Sequence, residues 1–131
     1  MESGIDRFRL SEKAKEQLTR LKRVTKIDQW NILCRWAFCV SLSRPTPPPA
    51  INITTDSNVE MTWKVFGGDM RNILLIALKQ RCHNDGLGTD KETLSQQFRL
   101  HLHRGIDYLA NEAKINNIEG LVGLVLNDKI P

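Results

Sequence analysis

Residues 89–111 read TDKETLSQQFRLHLHRGIDYLAN. Thr89-Asp90-Lys91-Glu92 has the form of a capping box, with Thr89 at the cap and Glu92 reaching back to unpaired backbone N–H groups. Behind it Leu94, Phe98, Leu102, Ile106 and Leu109 recur every three or four residues, which draws one apolar stripe along a helix. The spacing predicts a helix from about Asp90 to Asn111, the longest in the chain. A stripe of that length has to be covered by other elements, and the flanking sequence supplies them.

Upstream, Asp69 is placed to cap a helix from about Met70 to His83 with Ile73, Leu74, Ala77 and Leu78 as its core line, stopped by Asn84-Asp85-Gly86. Downstream, Ile118 to Leu126 reads as a short final helix. Between about Asp28 and Ser43 a further helix is apolar almost all round, through Trp30, Ile32, Leu33, Trp36, Ala37, Phe38, Val40 and Leu42. Such a helix is buried in a core or shared with another subunit. Pro45, Pro47, Pro48 and Pro49 end it, because proline donates no N–H and disfavours helix in the residue before it. Ala50 to Ser57 reads as a short strand or loop. Met61 to Phe66 alternates loosely up to Gly67-Gly68, as an extended segment does. Gly67-Gly68-Asp69 lacks the rest of a phosphate-binding loop and is read as a turn with a cap. The fold class is therefore mainly α. The chain is expected to form a single compact helical domain, residues 1–131, of about four to five helices with at most one or two short extended segments around 51–66.

The first helix carries the charge. Ser11 is a cap, Glu12 favours the positive end of the dipole, and Leu10, Ala14, Leu18, Leu21 and Thr25 form a narrow stripe. Residues 1–26 hold eight basic and four acidic side chains, while the other 105 residues hold eleven of each. All of the +4 net charge thus lies in the first fifth of the chain. At about 100° per residue, Lys15, Lys22 and Lys26 share one flank, and Lys13, Arg20 and Arg23 gather further round with Glu16. Lys22 and Lys26 repel one another at i,i+4, a choice that makes sense where phosphates neutralise them. Clustered positive charge attracts polyanions, so Lys13, Lys15, Arg20, Lys22, Arg23 and Lys26 are the candidate DNA-binding residues. A smaller basic patch at Arg99, His101, His103 and Arg104 has a plainer reading as ordinary helix surface.

Other chemistry finds little support. His101 and His103 point about 200° apart on a helix and cannot share a metal, and no Cys-x-x-Cys or His-x-x-x-His spacing exists. No metal and no cofactor is expected. Cys34 and Cys39 sit on the most apolar helix, where free cysteine acts as a small hydrophobe. No nucleophile elbow is present. Three cysteines, no leader-like opening and no apolar stretch unbroken by charge lead to the expectation of reduced thiols in the cytoplasm and no membrane span.

Several strings together resemble the DndE family, small proteins of bacterial systems that replace a non-bridging phosphate oxygen of DNA with sulfur. They are Leu33-Cys34-Arg35-Trp36-Ala37-Phe38-Cys39, the Pro47-Pro48-Pro49 run, Glu60-Met61-Thr62-Trp63-Lys64-Val65-Phe66-Gly67-Gly68, Leu78-Lys79-Gln80-Arg81-Cys82 and Phe98-Arg99-Leu100-His101-Leu102-His103-Arg104-Gly105. The resemblance runs from about Arg7 to Leu124. It implies a non-catalytic DNA-binding accessory subunit, assembled as a homotetramer, that prefers nicked double-stranded DNA and works beside other modification components. Two alternatives stand beside it. One is an assembly scaffold whose basic helix docks an acidic partner protein. The other is a nickase or carboxylase-like enzyme using Cys82, His83, His101 and His103.

Overall fold

The structure, a computed structural model, describes residues 3–112 and 115–127; Glu2, counted above in the N-terminal charge, lies outside the described residues. In chain order the elements are β1 (Arg7–Arg9), α1 (Glu12–Thr25), α2 (Trp30–Ser43), β2 (Glu60–Thr62), α3 (Trp63–Gly67), a 3-10 turn (Gly68–Met70), α4 (Arg71–Asn84), α5 (Lys91–Asn111) and α6 (Ile118–Asn127). The mainly α expectation holds, with five longer helices among the described residues and one two-stranded sheet.

The centre of the molecule is the α2–α5 pair. The predicted α5 stripe is buried along its whole length, at Leu94, Phe98, Leu102, Ile106 and Leu109. Leu100, His101 and Gly105 are buried as well, so α5 is covered on more than one stripe. Gly105 is the point of closest approach: a Cβ there would stand 1.8 Å from the carbonyl oxygen of Ala37. The backbones touch because neither residue carries bulk between them.

All four phenylalanines of the chain meet in one cluster with Trp63. Phe98 stands edge-on to Phe8 at 4.8 Å and to Phe66 at 4.9 Å, and Phe38 meets Phe66 at 5.6 Å. Such edge-to-face pairs each contribute about 0.5–1.5 kcal/mol beyond the area they bury. They bind β1, α2, α3 and α5 into one core. β1 reaches that cluster by alternation: Phe8 points inward, while Arg7 and Arg9 face out and both pair with Glu60 of β2, at 3.2 and 2.5 Å. The strands are antiparallel, with Phe8 opposite Met61.

Several expectations change. The extended reading of 61–66 holds only for 60–62; Thr62 then caps a one-turn helix by accepting from the Val65 N–H at 3.1 Å. This turn rolls Trp63 and Phe66 into the core and leaves Val65 outside. Residues 51–55 form no regular strand, and β1 was not anticipated. Asp69 does not cap α4, because Gly68–Met70 form a 3-10 turn and α4 starts at Arg71 without a side-chain cap. Gly68 needs its left-handed φ of 54° there, and the guanidinium of Arg35 lies where a Cβ would project. The cap of α5 is Asp90, not Thr89: its carboxylate accepts from the Thr93 N–H and hydroxyl. On α4, Ile73 is 64% exposed and Leu75 takes its place in the core.

The apolar α2 helix finds its cover largely inside the chain. Leu33, Cys34, Ala37, Phe38, Val40 and Ser41 are buried, and Trp30, Ile32, Trp36 and Leu42 are half-buried. No described helix is long and apolar enough to cross a membrane.

Candidate nucleic-acid interface

Helix α1 is anchored at both ends, which fixes where its cations point. At the start, the Ser11 hydroxyl accepts from the Ala14 N–H at 3.0 Å, the Glu12 N–H donates to Asp56, and the Ser11 N–H donates to His103 Nε2 at 3.1 Å. These bonds satisfy donors that a helix leaves open. At the end, Lys26 adopts a left-handed φ of 65° and its N–H returns to the Lys22 carbonyl. This is a C-terminal cap usually filled by glycine. Lys26 is exposed but lies past the helix, so the 100° spacing does not set its direction.

The six candidate cations fall into three groups. Lys13 and Arg20 turn toward α5: Lys13 lies 3.5 Å from Asp107, and Arg20 donates to the Ala110 carbonyl at 3.0 Å. Gln17 joins them by donating to Asp107 at 2.8 Å. That flank is a seam between helices. Lys15 and Lys22 lie on the other flank, toward the start of α2, where the Lys22 ammonium stands 4.3 Å from the Trp30 ring centroid. Arg23 and Lys26 are exposed. Among the described residues no carboxylate lies within ion-pair distance of Lys15, Lys22, Arg23 or Lys26. Sequence spacing identified both flanks. It did not reveal that one of them is committed to α5, since that depends on Asp107 arriving from 94 residues away.

The second basic patch is not a surface patch. Arg99 is exposed, but Arg104 donates to the Ser41 hydroxyl and carbonyl and to the Thr46 carbonyl, closing the end of α2. His101 is fully buried against Phe38, with Nδ1 2.8 Å from the Ser41 hydroxyl. The same hydroxyl accepts from Arg104, while His101 Nε2 is buried without a hydrogen-bond partner among the described residues. His103 uses both nitrogens on backbone, accepting from Ser11 and donating to the Arg99 carbonyl. Burial raises the Cys82 thiol and pushes Cys34 up to about 12. Two of the histidines in the enzymatic alternative are thus built into the packing. No cluster of three potential metal ligands occurs among the described residues.

Burial, reinforced by the nearby charges of Arg104 and Arg81, pushes His101 down to about 4. An unfolded histidine titrates near 6.5, so this depressed value contributes stability above pH 6.5 that is lost as pH falls toward 4. Between pH 7 and pH 5 the loss is about 2 kcal/mol. Urea unfolding of the native chain should show it, and His101→Gln should remove that part of the pH dependence. An identical pH profile in the variant would contradict the assignment.

Among the described residues, α1 borders two concavities that matter here. One, of about 500 Å3, lies between the start of α1, the segment after the proline run and α5, and mixes Lys13 and Arg104 with Glu12, Asp56 and Asp107. The other, of about 600 Å3, borders Lys15 and Trp30.

Residues 7–117 match the family described as "DndE: DNA sulphur modification protein DndE". No curated protein matches the sequence. Among solved structures, DndE from Escherichia coli B7A, involved in DNA phosphorothioation modification, superposes with a TM-score of 0.66 at 24% identity, over 79% of this chain and 95% of that one. A glycine-to-lysine double variant of DndE gives a TM-score of 0.63 at 21% identity, over 82% and 98%. At these identities the structural likeness speaks for the fold.

Proposed function

This chain belongs to the DndE family of DNA sulphur modification proteins, and on that premise we propose that it is a non-catalytic, DNA-binding accessory subunit of a phosphorothioation system. In this reading it works in the cytoplasm, beside the other modification components, and prefers nicked duplex. The observation that carries the reading is the outer arc of α1. There Lys15, Lys22, Arg23 and Lys26 meet no carboxylate among the described residues, while the cations of the opposite flank are occupied by α5. Phosphate oxygens are the partners such an arc lacks, and the contacts carry no sequence information by themselves.

Assembly into a homo-oligomer, a tetramer in this reading, multiplies that arc. The chain itself largely covers α2, whereas α4 and the turn before it carry exposed apolar side chains. Ile73, Ile76 and Met70, spaced three apart, are 64, 54 and 47% exposed. Apolar side chains gathered outside the core in this way mark association surfaces.

Lys15, Lys22 and Lys26, all changed to Glu, should weaken binding to a labelled duplex by at least about 100-fold while helix content and melting temperature stay near wild type. With about 4–6 phosphates neutralised, log affinity should fall with log salt at about −0.9 per phosphate, and the triple variant should show a slope shallower by about 2–3. Unchanged affinity would sink the assignment of this face. A native chain that ignores both nicked and intact DNA yet binds an acidic partner protein would instead support the scaffold reading.

A further inference from the structure

The groove of about 600 Å3 beside α1 falls within the roughly 300–1,000 Å3 of small-molecule sites. Lys15 and the half-buried indole of Trp30 line it with the amides of Gln29 and Asn58, while the Asn31 amide there already donates to the Val65 carbonyl at 3.2 Å. Its one carboxylate, Glu60, is already held by Arg7 and Arg9, so it does not cancel the lysines. Lys22 does not itself line the groove, but its ammonium stands 4.3 Å from the centroid of the Trp30 ring that does.

This combination matches a nucleotide part by part. Every base offers a π-face that stacks on an aromatic ring, its edge takes the donors and acceptors of amides, and its phosphate takes cations. An acidic peptide would use Lys15 and leave the indole and the amides of Gln29 and Asn58 idle. An apolar helix seated there would have to bury Lys15 without a partner. We infer that the groove holds one unstacked nucleotide of the bound strand, its base against Trp30 and its phosphate on Lys15 and Lys22. The inference rests on the DNA-binding reading above and adds a base contact to a backbone grip. Lys22 links the two parts: a phosphate is a stronger partner than a ring quadrupole, and drawing the ammonium toward it bares the indole.

The test uses the full chain and a duplex with two adjacent 2-aminopurines beside a nick, whose exciton circular-dichroism band requires the two bases to stay stacked on each other. Adding protein should diminish that band as one base leaves the stack, whichever ring it then stacks on. Trp30→Leu should abolish that loss and weaken binding to nicked duplex roughly 5- to 150-fold, the range for one lost aromatic stack, with little change for intact duplex. Trp30→Phe keeps a ring and should restore both. Should the Leu variant fold poorly, the Phe variant carries a second readout. Tryptophan emission quenched on binding nicked DNA in the wild type should no longer be quenched in Trp30→Phe. A loss of the exciton band that persists in a folded Trp30→Leu chain overturns the inference. Steep, salt-dependent binding of both duplexes with the band unchanged overturns it as well and leaves the DNA-binding reading standing. Binding to neither duplex overturns both.

Discussion

Gly105→Ala is expected to destabilise the chain by about 3 kcal/mol or more, against a total of roughly 5–15 kcal/mol for a natural domain. The sign is informative, because alanine in place of glycine inside a helix ordinarily gains about 1 kcal/mol. Here the added Cβ would lie 1.8 Å from the Ala37 oxygen and 2.4 Å from its carbonyl carbon. Backbone of α2 cannot swing aside as the tip of a side chain can. The two central helices would have to part, and the parting would be felt at the buried contacts beside it, Phe38, Leu102 and Ile106 among them. A melt followed by circular dichroism should show a fall on the order of 10 °C or more, or no folded protein at all. Gly123→Ala is the control. It lies in α6 with nothing within 4 Å of its would-be Cβ, and should be neutral or mildly stabilising. A Gly105→Ala chain as stable as wild type would mean that α2 and α5 do not cross as described.

What the sequence made legible was what local spacing controls. The α5 stripe, the Ser11 cap and the two basic flanks of α1 all follow from turns of 3.6 residues. What stayed hidden depends on partners far away in the chain. Arg7–Arg9 is too short to announce a strand, and its partner lies some fifty residues on. In the run Ile73-Leu74-Leu75-Ile76-Ala77-Leu78 every position is apolar, so periodicity could not choose a face; packing buries Leu75 and exposes Ile73. The groove at Trp30 was invisible for the same reason. Lys15, Trp30 and Asn58 come from α1, α2 and the loop before β2, and only the fold makes them neighbours. By spacing Trp30 is one more apolar residue of an over-apolar helix, and its place beside two lysines gives it a different meaning.

Arg81→Met is expected to destabilise the chain by about 3–5 kcal/mol, the largest effect of any single charged residue. Arg81 is only 9% exposed, an unusual place for a guanidinium, and every edge of its fork is used. Its Nε donates to both Asp85 oxygens at 3.1 and 3.0 Å. Its two terminal nitrogens donate to the carbonyls of Leu42, Arg44 and Thr46 at 2.9, 2.6 and 2.6 Å. These carbonyls lie where α2 ends and the proline run begins, and a helix leaves its last carbonyls without partners of its own. The proline nitrogens of the following segment carry no hydrogen to donate, so the arginines supply the donors. Arg104 joins Arg81 on the Thr46 carbonyl. Two of the strings that carry the resemblance, around Arg81 and around His101-Leu102-His103-Arg104-Gly105, thus converge on the same half of α2, one closing its end and the other packing its side. Arg81→Lys keeps the charge but not the planar fork, and should lose about 2 kcal/mol in urea unfolding. Arg81→Met combined with Asp85→Leu should recover part of the loss, because the stranded carboxylate is removed with its partner. If the double variant were less stable than Arg81→Met alone, the cost would lie wholly in the three carbonyls and the ion pair would contribute nothing.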